Sequence, residues 1–517
     1  MPSRLKRADV IDFNDPYFLE RKHKADDLKG RGVAPWGGAF PRTHALGQVP
    51  VAFAAATSEA GTEIVRVAGR LATIRVQGKA GFAHLAGAEG KLQVYFKQDR
   101  LGEEVYQGLV KKLDLGDIIG VEGPVFRTRT DEITVEARAV TLLSKALLPP
   151  PDKFHGLKDT ELKYRQRYLD LMANEETRAT FLKRSQAMSG LRELLRDRGF
   201  LEVETPMLQV LPGGAAARPF KTHHNALDID LYLRIAPELY LKRLLVGGFE
   251  KVFEVNRNFR NEGLSPRHNP EFTMLEVYEA YADGEAMIQL TEQLIGAMAT
   301  ASTGSTKVSY QGLEIDLTPP FKRLPMRQAV VELGGIADPE NLDEAALAKL
   351  LPDMSPAARK ALAPGQRLEA LFGEHVESKL VQPVFVTDYP IEISPLAKRK
   401  PLDPQLADRF ELFIAGREIA NGFSELNDPL DQHQRFVDQL AAKEKGDEEA
   451  HAMDEDFVTA LLHGMPPAGG MGLGMDRLVM LLTDAASIRD VILFPSMRPS
   501  AGSGQTPPTV AGQDPKP

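Results

Sequence analysis

The stretch 252-VFEVNRNFRNEGLSPRHNPEFTMLEVYEAY-281 carries the strongest structural signal in this chain of 517 residues. Two runs that alternate apolar and polar residues flank a loop rich in Gly, Pro and Asn, a pattern typical of two antiparallel strands joined by a long loop. On the second strand, period two places Phe272, Met274, Glu276 and Tyr278 on one face. At about 3.3 Å per residue, Phe272 and Glu276 would lie roughly 13 Å apart, which leaves room for a stacked ring at one end and a cation at the other.

The loop of this hairpin carries the charged side chains Arg260, Glu262, Arg267 and His268. Guanidinium groups bind phosphate oxygens through paired N–H donors, and long loops between regular elements are commonly functional. We therefore expect the loop to bind an anionic, phosphate-like group. A solvated hairpin with ordinary surface charges is the alternative.

A second hairpin is predicted at 409-RFELFIAGREIANGFSELND-428. The runs 410–414 and 418–425 are expected to pair around a three-residue turn at 415–417. This turn sets Glu411 opposite Asn421.

The acidic residues of the second hairpin predict a cation. Glu411 shares its face with Phe423 and Glu425, and buried carboxylates at this density repel one another unless a cation neutralises them. A Mg²⁺-nucleotide complex does so through oxygen ligands. Glu418 falls on the opposite face, and a bulge at Asn421-Gly422 would turn it to the same side. A solvated acidic hairpin is the alternative.

A third feature is the glycine-rich stretch 466-PPAGGMGLGMDRLVMLLTD-484. Its residues Gly469, Gly470, Gly472 and Gly474 allow close approach of the backbone, and the apolar run that follows is helical. A strand-to-helix turn of this kind is suited to anion binding at the helix start. Arg477, in the first turn of that helix, adds a charge that is never lost.

The N-terminal part of the chain has a different pattern, with short segments of period two and turns that contain glycine. The segments are 63-EIVRVAGRLATIRV-76, 91-KLQVYFKQ-98, 117-DIIGVEGPVF-126 and 132-EITVEARAVTLL-143. This pattern predicts a small β-barrel such as an OB-fold, with any other small β-domain as the alternative.

The chain divides at the proline-rich break 147-LLPPPDK-153, which is followed by an amphipathic helix that begins near residue 177 and ends at Gly199. We predict an α+β protein with an N-terminal helical or extended segment at 1–60, a β-domain at 61–147, a linker at 148–176, a larger α+β domain at 177–499 and a disordered tail at 500–517.

Composition limits the possible chemistry. The absence of cysteine excludes disulfides, thiolate metal sites and cysteine nucleophiles. No apolar run is long enough to cross a membrane and no secretory signal opens the chain, so the cytoplasm is the expected compartment. The net charge of −9 argues against non-specific nucleic-acid binding. Residues 62–147, with 13 basic against 11 acidic side chains, leave room for a specific nucleic-acid partner.

Three stretches together resemble the signature motifs of the class II aminoacyl-tRNA synthetases. They are 199-GFLEVETPML-208, FRNEG with its paired strands, and the glycine-rich turn that ends in Asp476-Arg477. The resemblance implies an OB-fold barrel followed by a catalytic domain whose antiparallel sheet is flanked by helices. It also implies a homodimer built on the first motif.

Within that class the chain most resembles the lysine-specific enzymes. The stretches that carry this likeness are 31-RGVAPWGGAFPRTH-44, 153-KFHGLKDTELKYRQRYLDL-171, 212-PGGAAARPFKTHHNALD-228, 387-TDYPIEISPLAKRK-400 and 488-IRDVILFPSMRP-499. The resemblance implies a ligase that activates L-lysine with ATP and Mg²⁺ and then transfers it to the 3′ end of the lysine transfer RNA, tRNA(Lys).

The resemblance also assigns residues to each ligand. Those expected at ATP are Arg260, Glu262, His268, Asn269, Phe272, Glu411 and Arg477, with Arg260 and Arg477 as the catalytic arginines and Phe272 as the adenine platform. Those expected at lysine are Gly214, Glu238, Glu276, Tyr278, Asn421, Phe423 and Glu425. Glu411 and Glu418 are expected to hold Mg²⁺, and Phe82, Gln93 and Glu132 to read the anticodon. One departure is Gly87, where the barrel motif usually has an acidic residue.

Three competing functions remain open at this point. An aspartyl- or asparaginyl-tRNA synthetase shares the domain plan, but Glu238 disfavours it because such an enzyme needs a basic pocket. A lysine-activating ligase with a protein acceptor typically lacks the N-terminal barrel. A scaffold with a decayed site is disfavoured by the intact Arg260, Phe272, Glu411 and Arg477.

Overall fold

The computed structural model describes residues 12–151, 157, 159–444 and 453–498. Contacts group the described residues into two compact units, one that ends at Asn174 and one that begins at Glu175. The predicted tail at 500–517 lies outside the described residues. Among the helices of the described ranges, none combines the length and the apolar character needed to cross a membrane.

The first unit contains a sheet that closes on itself. Its strands are β1 (Ile64–Gln77), β2 (Ala80–Gly87), β3 (Gly90–Lys97), β4 (Ile118–Arg127), β5 (Ile133–Glu136) and β6 (Ala139–Ser144). Its helices are α1 (Pro16–Gly30), α2 (Gln48–Ala52), α3 (Gln98–Leu101), α4 (Glu103–Gly108), α5 (Thr160–Arg165) and α6 (Arg167–Ala173). Because β1 pairs with both β2 and β4, the order β1-β2-β3-β5-β4 returns to β1. This closure confirms the predicted small β-barrel.

The alternation seen in the sequence is the inside and outside of this barrel. Leu92, Val94 and Phe96 of β3 are buried, as period two requires for a strand with one face on a core. The alternating segment 132–143 forms two strands, β5 and β6. At the break, the backbone N–H of Ala137 bonds to β3 and that of Arg138 bonds to β4, so the two halves have different partners.

The second unit is built on one large sheet. The strands of this unit are β7 (Leu201–Glu202), β8 (Leu208–Gln209), β9 (Lys221–His224), β10 (Ile229–Leu233), β11 (Lys251–Phe259), β12 (Glu271–Ala280), β13 (Lys307–Tyr310), β14 (Leu313–Asp316), β15 (Lys322–Pro325), β16 (Val384–Pro390), β17 (Leu406–Ile414), β18 (Arg417–Ser424) and β19 (Ala468–Gly474). The large sheet has the order β15-β16-β17-β18-β19-β12-β11-β7. The expectation of a purely antiparallel sheet is corrected at both edges, where β15 runs parallel to β16 and β7 parallel to β11.

The helices of the second unit are α7 (Glu175–Asp197), α8 (Glu238–Val246), α9 (Gly284–Thr303), α10 (Met326–Glu332), α11 (Glu344–Leu350), α12 (Pro356–Ala361), α13 (Pro364–His375), α14 (Pro429–Glu444), α15 (Glu455–Leu462), α16 (Met475–Leu482) and α17 (Ile488–Val491). α7, α9 and α16 contribute to one apolar core with the sheet, in which Leu191, Leu294 and Leu478 are fully buried. Each such leucine contributes about 1.5–3 kcal/mol relative to an exposed one.

The first predicted hairpin is present with the expected faces. β11 and β12 pair antiparallel along their whole length, and β12 also pairs with β19, so it lies in the interior of the sheet. Its odd-numbered Leu275 and Val277 belong to the core with α7 and α9. Its even-numbered residues, Glu276 and Tyr278 among them, line a cavity on the other face.

The second hairpin has the predicted pairing but a different turn. Glu411 pairs with Asn421 as expected, although Ile414 pairs with Arg417, so the turn has two residues and not three. The register is restored by a bulge at Ile419, where Leu412 pairs with Ala420 and the next residue of β17 pairs with Glu418. The expected bulge at 421–422 is therefore wrong in position, by two residues.

Candidate active site

A cavity of about 590 Å³ opens on the face of the large sheet that carries the even-numbered residues of β12. Every residue expected at ATP, at lysine and at the metal contributes to its wall. The set is Gly214, Glu238, Arg260, Glu262, His268, Asn269, Phe272, Glu276, Tyr278, Glu411, Glu418, Asn421, Phe423, Glu425 and Arg477. A neighbouring chamber of about 460 Å³ shares His268, Glu411, Glu418 and Arg477 with it.

One end of the cavity is basic and aromatic. The guanidinium of Arg260 lies over the ring of Phe272, 5.2 Å from its centroid, so the two residues form a stacked pair. Arg477 lies 3.3 Å from His268 Nε2 and 3.2 Å from the Glu418 carboxylate. Burial and the charge of Arg477 lower the pKa of His268, which favours the neutral imidazole. This end is suited to a flat ring beside an anion.

Arg477 is held in place by the start of α16. The preceding residue, Asp476, is buried, accepts a hydrogen bond from the backbone N–H of Thr273 at 2.7 Å and forms an ion pair with Arg184 at 2.6 Å. These contacts fasten the first turn of α16 to β12 and α7. The guanidinium of Arg477 therefore projects into the cavity from a fixed backbone.

Two of the expected nucleotide residues lie in the loop between β11 and β12. Glu262 is exposed at the cavity mouth. The Asn269 carboxamide donates to the backbone carbonyl of Glu271 at 2.5 Å and accepts from the backbone N–H of Ser496 at 3.2 Å. Asn269 thus anchors the end of this loop as well as lining the cavity.

Glu411 and Glu418, the expected metal ligands, lie on the same cavity wall. Burial raises the pKa of Glu411 to about 7 against the opposing charge of Arg409, which bonds to it at 2.5 Å, and Glu418 raises it further. Across the described ranges, no group of three or more His, Cys, Asp or Glu side chains is arranged to hold a metal ion. Two carboxylates fit a divalent cation that takes its other ligands from phosphate oxygens and water.

The opposite end of the cavity is acidic and buried. Glu238, Glu276 and Glu425 are each less than a tenth exposed, and the Tyr278 hydroxyl donates to Glu276 at 3.1 Å. Burial raises the pKa of all three carboxyls, that of Glu425 to about 8. Among the described residues, none donates a hydrogen bond of good geometry to either Glu425 oxygen. Three buried carboxylates at one end of a cavity favour a cation as the ligand there.

A lysine of the chain itself, Lys242, neutralises part of this charge. Its ammonium lies 2.7 Å from Glu238 Oε1 and forms an ion pair with Glu425. Sequence reasoning did not identify this residue. The only signal was its i, i+4 spacing from Glu238, which is common on exposed helix faces.

The remaining lysine-site residues fill the space around these acids. Gly214 has φ +87°, a conformation suited to glycine, and a Cβ there would come within 3.1 Å of Ala236. The Asn421 side chain accepts from Arg409 at 3.3 Å. Arg409 therefore contacts both Asn421 of the acidic end and Glu411 of the metal-binding pair, a bridging role that the sequence did not indicate.

The glycine-rich stretch serves this end of the cavity more than the start of α16. Gly469, Gly470 and Gly472 lie inside β19, and only Gly474 lies at the junction with the helix. A Cβ at Gly470 would overlap Glu425 Oε1 and the Tyr278 ring. The missing side chain thus makes room for two of the pocket side chains.

The anticodon candidates lie in the barrel of the first unit. The ring of Phe82 is 40% exposed and lies 4.6 Å from that of Tyr95. Gln93 donates to Glu132 at 2.6 Å, and Glu132 also contacts His84 Nε2 at 2.9 Å. His84, which the sequence did not single out, is the cross-strand partner of Gln93 and contacts the other carboxylate oxygen of Glu132. The glycine at 87 packs against Leu46, within 3.1 Å of where a Cβ would stand.

Each of the two units contains a stretch that matches a known protein family. Residues 159–498 match the family of tRNA synthetases class II (D, K and N), and residues 65–143 match the OB-fold nucleic acid binding domain. The chain is therefore a class II aminoacyl-tRNA synthetase.

Its curated relatives narrow the family further. A protein named lysine–tRNA ligase from Pelotomaculum thermopropionicum is 56% identical over 485 residues, 93% of this chain and 94% of the relative. One from Carboxydothermus hydrogenoformans is 54% identical over 93% of this chain and 97% of the relative. The Escherichia coli K12 protein of that name is 52% identical over 95% of this chain and 97% of the relative. The chain belongs to the lysine–tRNA ligase family.

Proposed function

We propose that this chain activates lysine with ATP and then transfers it to the 3′ end of tRNA(Lys). The observation that carries the proposal is the polarity of one cavity. Arginines and an aromatic ring lie at one end, and three buried carboxylates lie at the other. A nucleotide and an alkyl ammonium are the ligand parts that fit these two ends.

The first step would join the two ligands between the ends. A lysine carboxylate oxygen attacks the α-phosphorus of ATP, the bond to the bridging oxygen breaks, and pyrophosphate leaves. Arg260 would neutralise charge at the α-phosphate while Phe272 stacks on adenine, and Arg477 with His268 would hold the departing phosphates. Fixed charges of this kind need no reorganisation during the reaction, and each 1.4 kcal/mol or so is about tenfold in rate.

Glu411 and Glu418 would hold Mg²⁺ that arrives with the nucleotide. Its chemistry is to screen the negative charge of the phosphate oxygens. Glu411, with its pKa near 7, would be ionised by a cation at this position. Arg409 fixes the orientation of that carboxylate by its hydrogen bond.

In the second step, a ribose hydroxyl at the 3′ end of the transfer RNA attacks the carbonyl carbon of lysyl-adenylate, and AMP leaves. Selection of the transfer RNA would use the barrel, where Phe82 offers an exposed ring for stacking and Gln93 and Glu132 offer hydrogen-bonding groups. We propose the cytoplasm as the compartment, because ATP, lysine and transfer RNA are all present there.

A homodimer is part of the proposal. β7 and the stretch after it expose the apolar side chains of Leu201, Leu208, Val210 and Leu211, each 46–63% accessible. Apolar side chains grouped on a surface mark interaction sites. Light scattering should give twice the mass of the chain, and Leu208→Asp with Val210→Asp should shift it toward the monomer.

The experiment that tests the function is ATP–pyrophosphate exchange with each of the twenty amino acids, followed by charging of purified transfer RNA. Exchange that depends on lysine, and charging of tRNA(Lys), are expected. ATP–pyrophosphate exchange that depends on aspartate would instead favour an aspartyl-tRNA synthetase. Exchange with lysine but no charging would favour a ligase with another acceptor.

A further inference from the structure

Lys242 is a buried ammonium that the proposed reaction does not yet use. It lies on α8, one turn after Glu238, and its side chain has no accessible surface. Its ammonium contacts Glu238 at 2.7 Å, pairs with Glu425 and lies 5.4 Å from the centroid of the Phe423 ring. All three partners belong to the pocket expected to hold the substrate ammonium.

The position of Lys242 relative to the cavity is the decisive observation. Glu238, Glu425 and Phe423 line the cavity, whereas Lys242 does not. The ammonium therefore lies behind the carboxylates, and each carboxylate is shared between a cation in the protein and the cavity. Lys242 pairs with two of the three acids, Glu238 and Glu425, and not with Glu276. One ammonium between two carboxylates, with Glu276 beside them, leaves negative charge for a second ammonium.

We propose that Lys242 is a specificity-determining positioning residue that favours the ionised forms of Glu238 and Glu425 and directs both carboxylates at the substrate ammonium. This inference rests on the proposed function, since it concerns how that site selects lysine. Lys242 does not touch the substrate. It acts through the two carboxylates that do.

The electrostatics of the pocket support this role. Burial raises the pKa of Glu238 and of Glu425, and Lys242 is the largest influence that lowers them. The pKa of Lys242 lies above its ordinary value despite burial, because the two carboxylates favour its charged form. Arg409 also lowers the pKa of Glu238, and Glu276 is influenced by Arg234 and Glu254. Loss of Lys242 would leave Glu238 and Glu425 protonated to higher pH.

The test is Lys242→Met in the full chain, which removes the charge and keeps an unbranched side chain. Lysine-dependent ATP–pyrophosphate exchange is measured between about pH 6 and about pH 9.5. At neutral pH we expect kcat/KM for lysine to fall at least about tenfold, with KM for ATP changed less than about twofold. The acid limb of the lysine profile should move to higher pH, a shift that a packing defect alone would not cause.

Two further variants make the test decisive. Lys242→Arg keeps the charge and should keep the limb near its original pH. Arg243→Met, the matched control, removes the neighbouring cation of α8, which pairs with Asp454 and Asp456, and should leave the limb unchanged.

If Lys242→Met does not fold, Lys242→Met with Glu238→Gln removes the ion pair as a unit. The limb due to Glu425 should still move upward. A limb at the original pH in either Met variant would overturn the role of Lys242 and leave the proposed function intact. Absence of lysine-dependent exchange in the unchanged protein would instead overturn the proposed function.

Discussion

Arg260 is the residue on which the chemistry of activation most depends. It lies over Phe272 at the basic end of the cavity, away from the carboxylates expected at the lysine side chain. We expect Arg260→Ala to lower lysine-dependent ATP–pyrophosphate exchange by about 100-fold to 1000-fold, because a fixed charge at the α-phosphate is lost. Lysine affinity by calorimetry should change by less than about threefold. Near-normal exchange would exclude this role.

Glu238 is the residue expected to distinguish lysine from uncharged side chains. Glu238→Gln removes one carboxylate from the pocket and leaves Lys242 paired with Glu425 alone. A hydrogen bond to a charged group contributes about 1.5–3 kcal/mol, so lysine affinity should fall by about 10-fold to 100-fold. Calorimetry gives the affinity, and Glu250→Gln, at an exposed glutamate, is the matched control. Equal lysine affinities in the two variants would contradict the role of Glu238 in the lysine pocket.

The buried carboxyls also predict a dependence on pH. With the pKa of Glu425 at about 8 and that of Glu276 well above its ordinary range, the free pocket holds protons at neutral pH. An ammonium binds the ionised form, so lysine binding should release protons and tighten as the pH rises toward about 8. Calorimetry in two buffers with different ionisation heats measures the protons released. Identical heats in both would contradict this prediction.

The same raised pKa values that tighten lysine binding with rising pH lower the stability of the free protein with rising pH. A carboxyl whose pKa is higher in the folded than in the unfolded state stabilises the fold at low pH, and that contribution is lost as the pH rises through the folded value. The free protein should therefore become less stable as the pH rises through about 8 because of Glu425, and saturating lysine should offset the loss. Thermal unfolding with and without lysine at several pH values measures both effects.

At the scale of elements, the glycines of β19 make room for the side chains at the acidic end of the cavity, because they have no side chains of their own. Gly470→Ala would place a methyl group against Glu425 and Tyr278, so KM for lysine should rise at least about tenfold with KM for ATP little changed. Gly472→Ala in the same strand is the control, because the tightest contact of its methyl group would be the flexible end of Met274 at 3.1 Å, with Glu276 Cγ at an ordinary 3.8 Å. Similar kinetics for the two variants would contradict this account.

The elements that the sequence predicted well are those in which one strand has two distinct faces. From Met274 to Tyr278, β12 alternates cavity and core residues, so the assignment of its faces needed only period two. The second hairpin was predicted less well, because a two-residue turn combined with a bulge at Ile419 gives the same pairing of Glu411 with Asn421 as a longer turn alone. Local sequence does not separate these solutions, since both satisfy the same alternation.

The residues that sequence reasoning missed are those whose partners lie far away in the chain. Lys242 on an amphipathic helix looks like an ordinary surface lysine until Glu425 is brought to it by β18. His84 gains its role only through Glu132, which reaches it from the segment before β5. Such contacts depend on tertiary pairing, and no local pattern encodes them.

At the scale of the whole molecule, the two units divide the proposed reaction. Phe82→Ala in the barrel should lower kcat/KM for charging of tRNA(Lys) by about 5-fold to 150-fold, because one stacking contact contributes about 1–3 kcal/mol. Lysine-dependent ATP–pyrophosphate exchange should stay unchanged, since that step needs no transfer RNA. Ile64→Ala, at another exposed barrel residue, is the control and should affect neither assay. A loss of exchange in Phe82→Ala would contradict this division.

The alternation of core and cavity residues along β12 determines which sequence changes the strand tolerates. β11 and β19 pair with β12 on both sides and fix its register. Deleting one residue within 271–280 would therefore exchange its core-facing and cavity-facing residues, so that a glutamate would enter the apolar core and a leucine the cavity. Replacing even-numbered side chains keeps the architecture and alters only what is recognised. A redesign of this protein for another amino acid should therefore substitute even-numbered residues at the acidic end of β12 and leave the length of the strand unchanged.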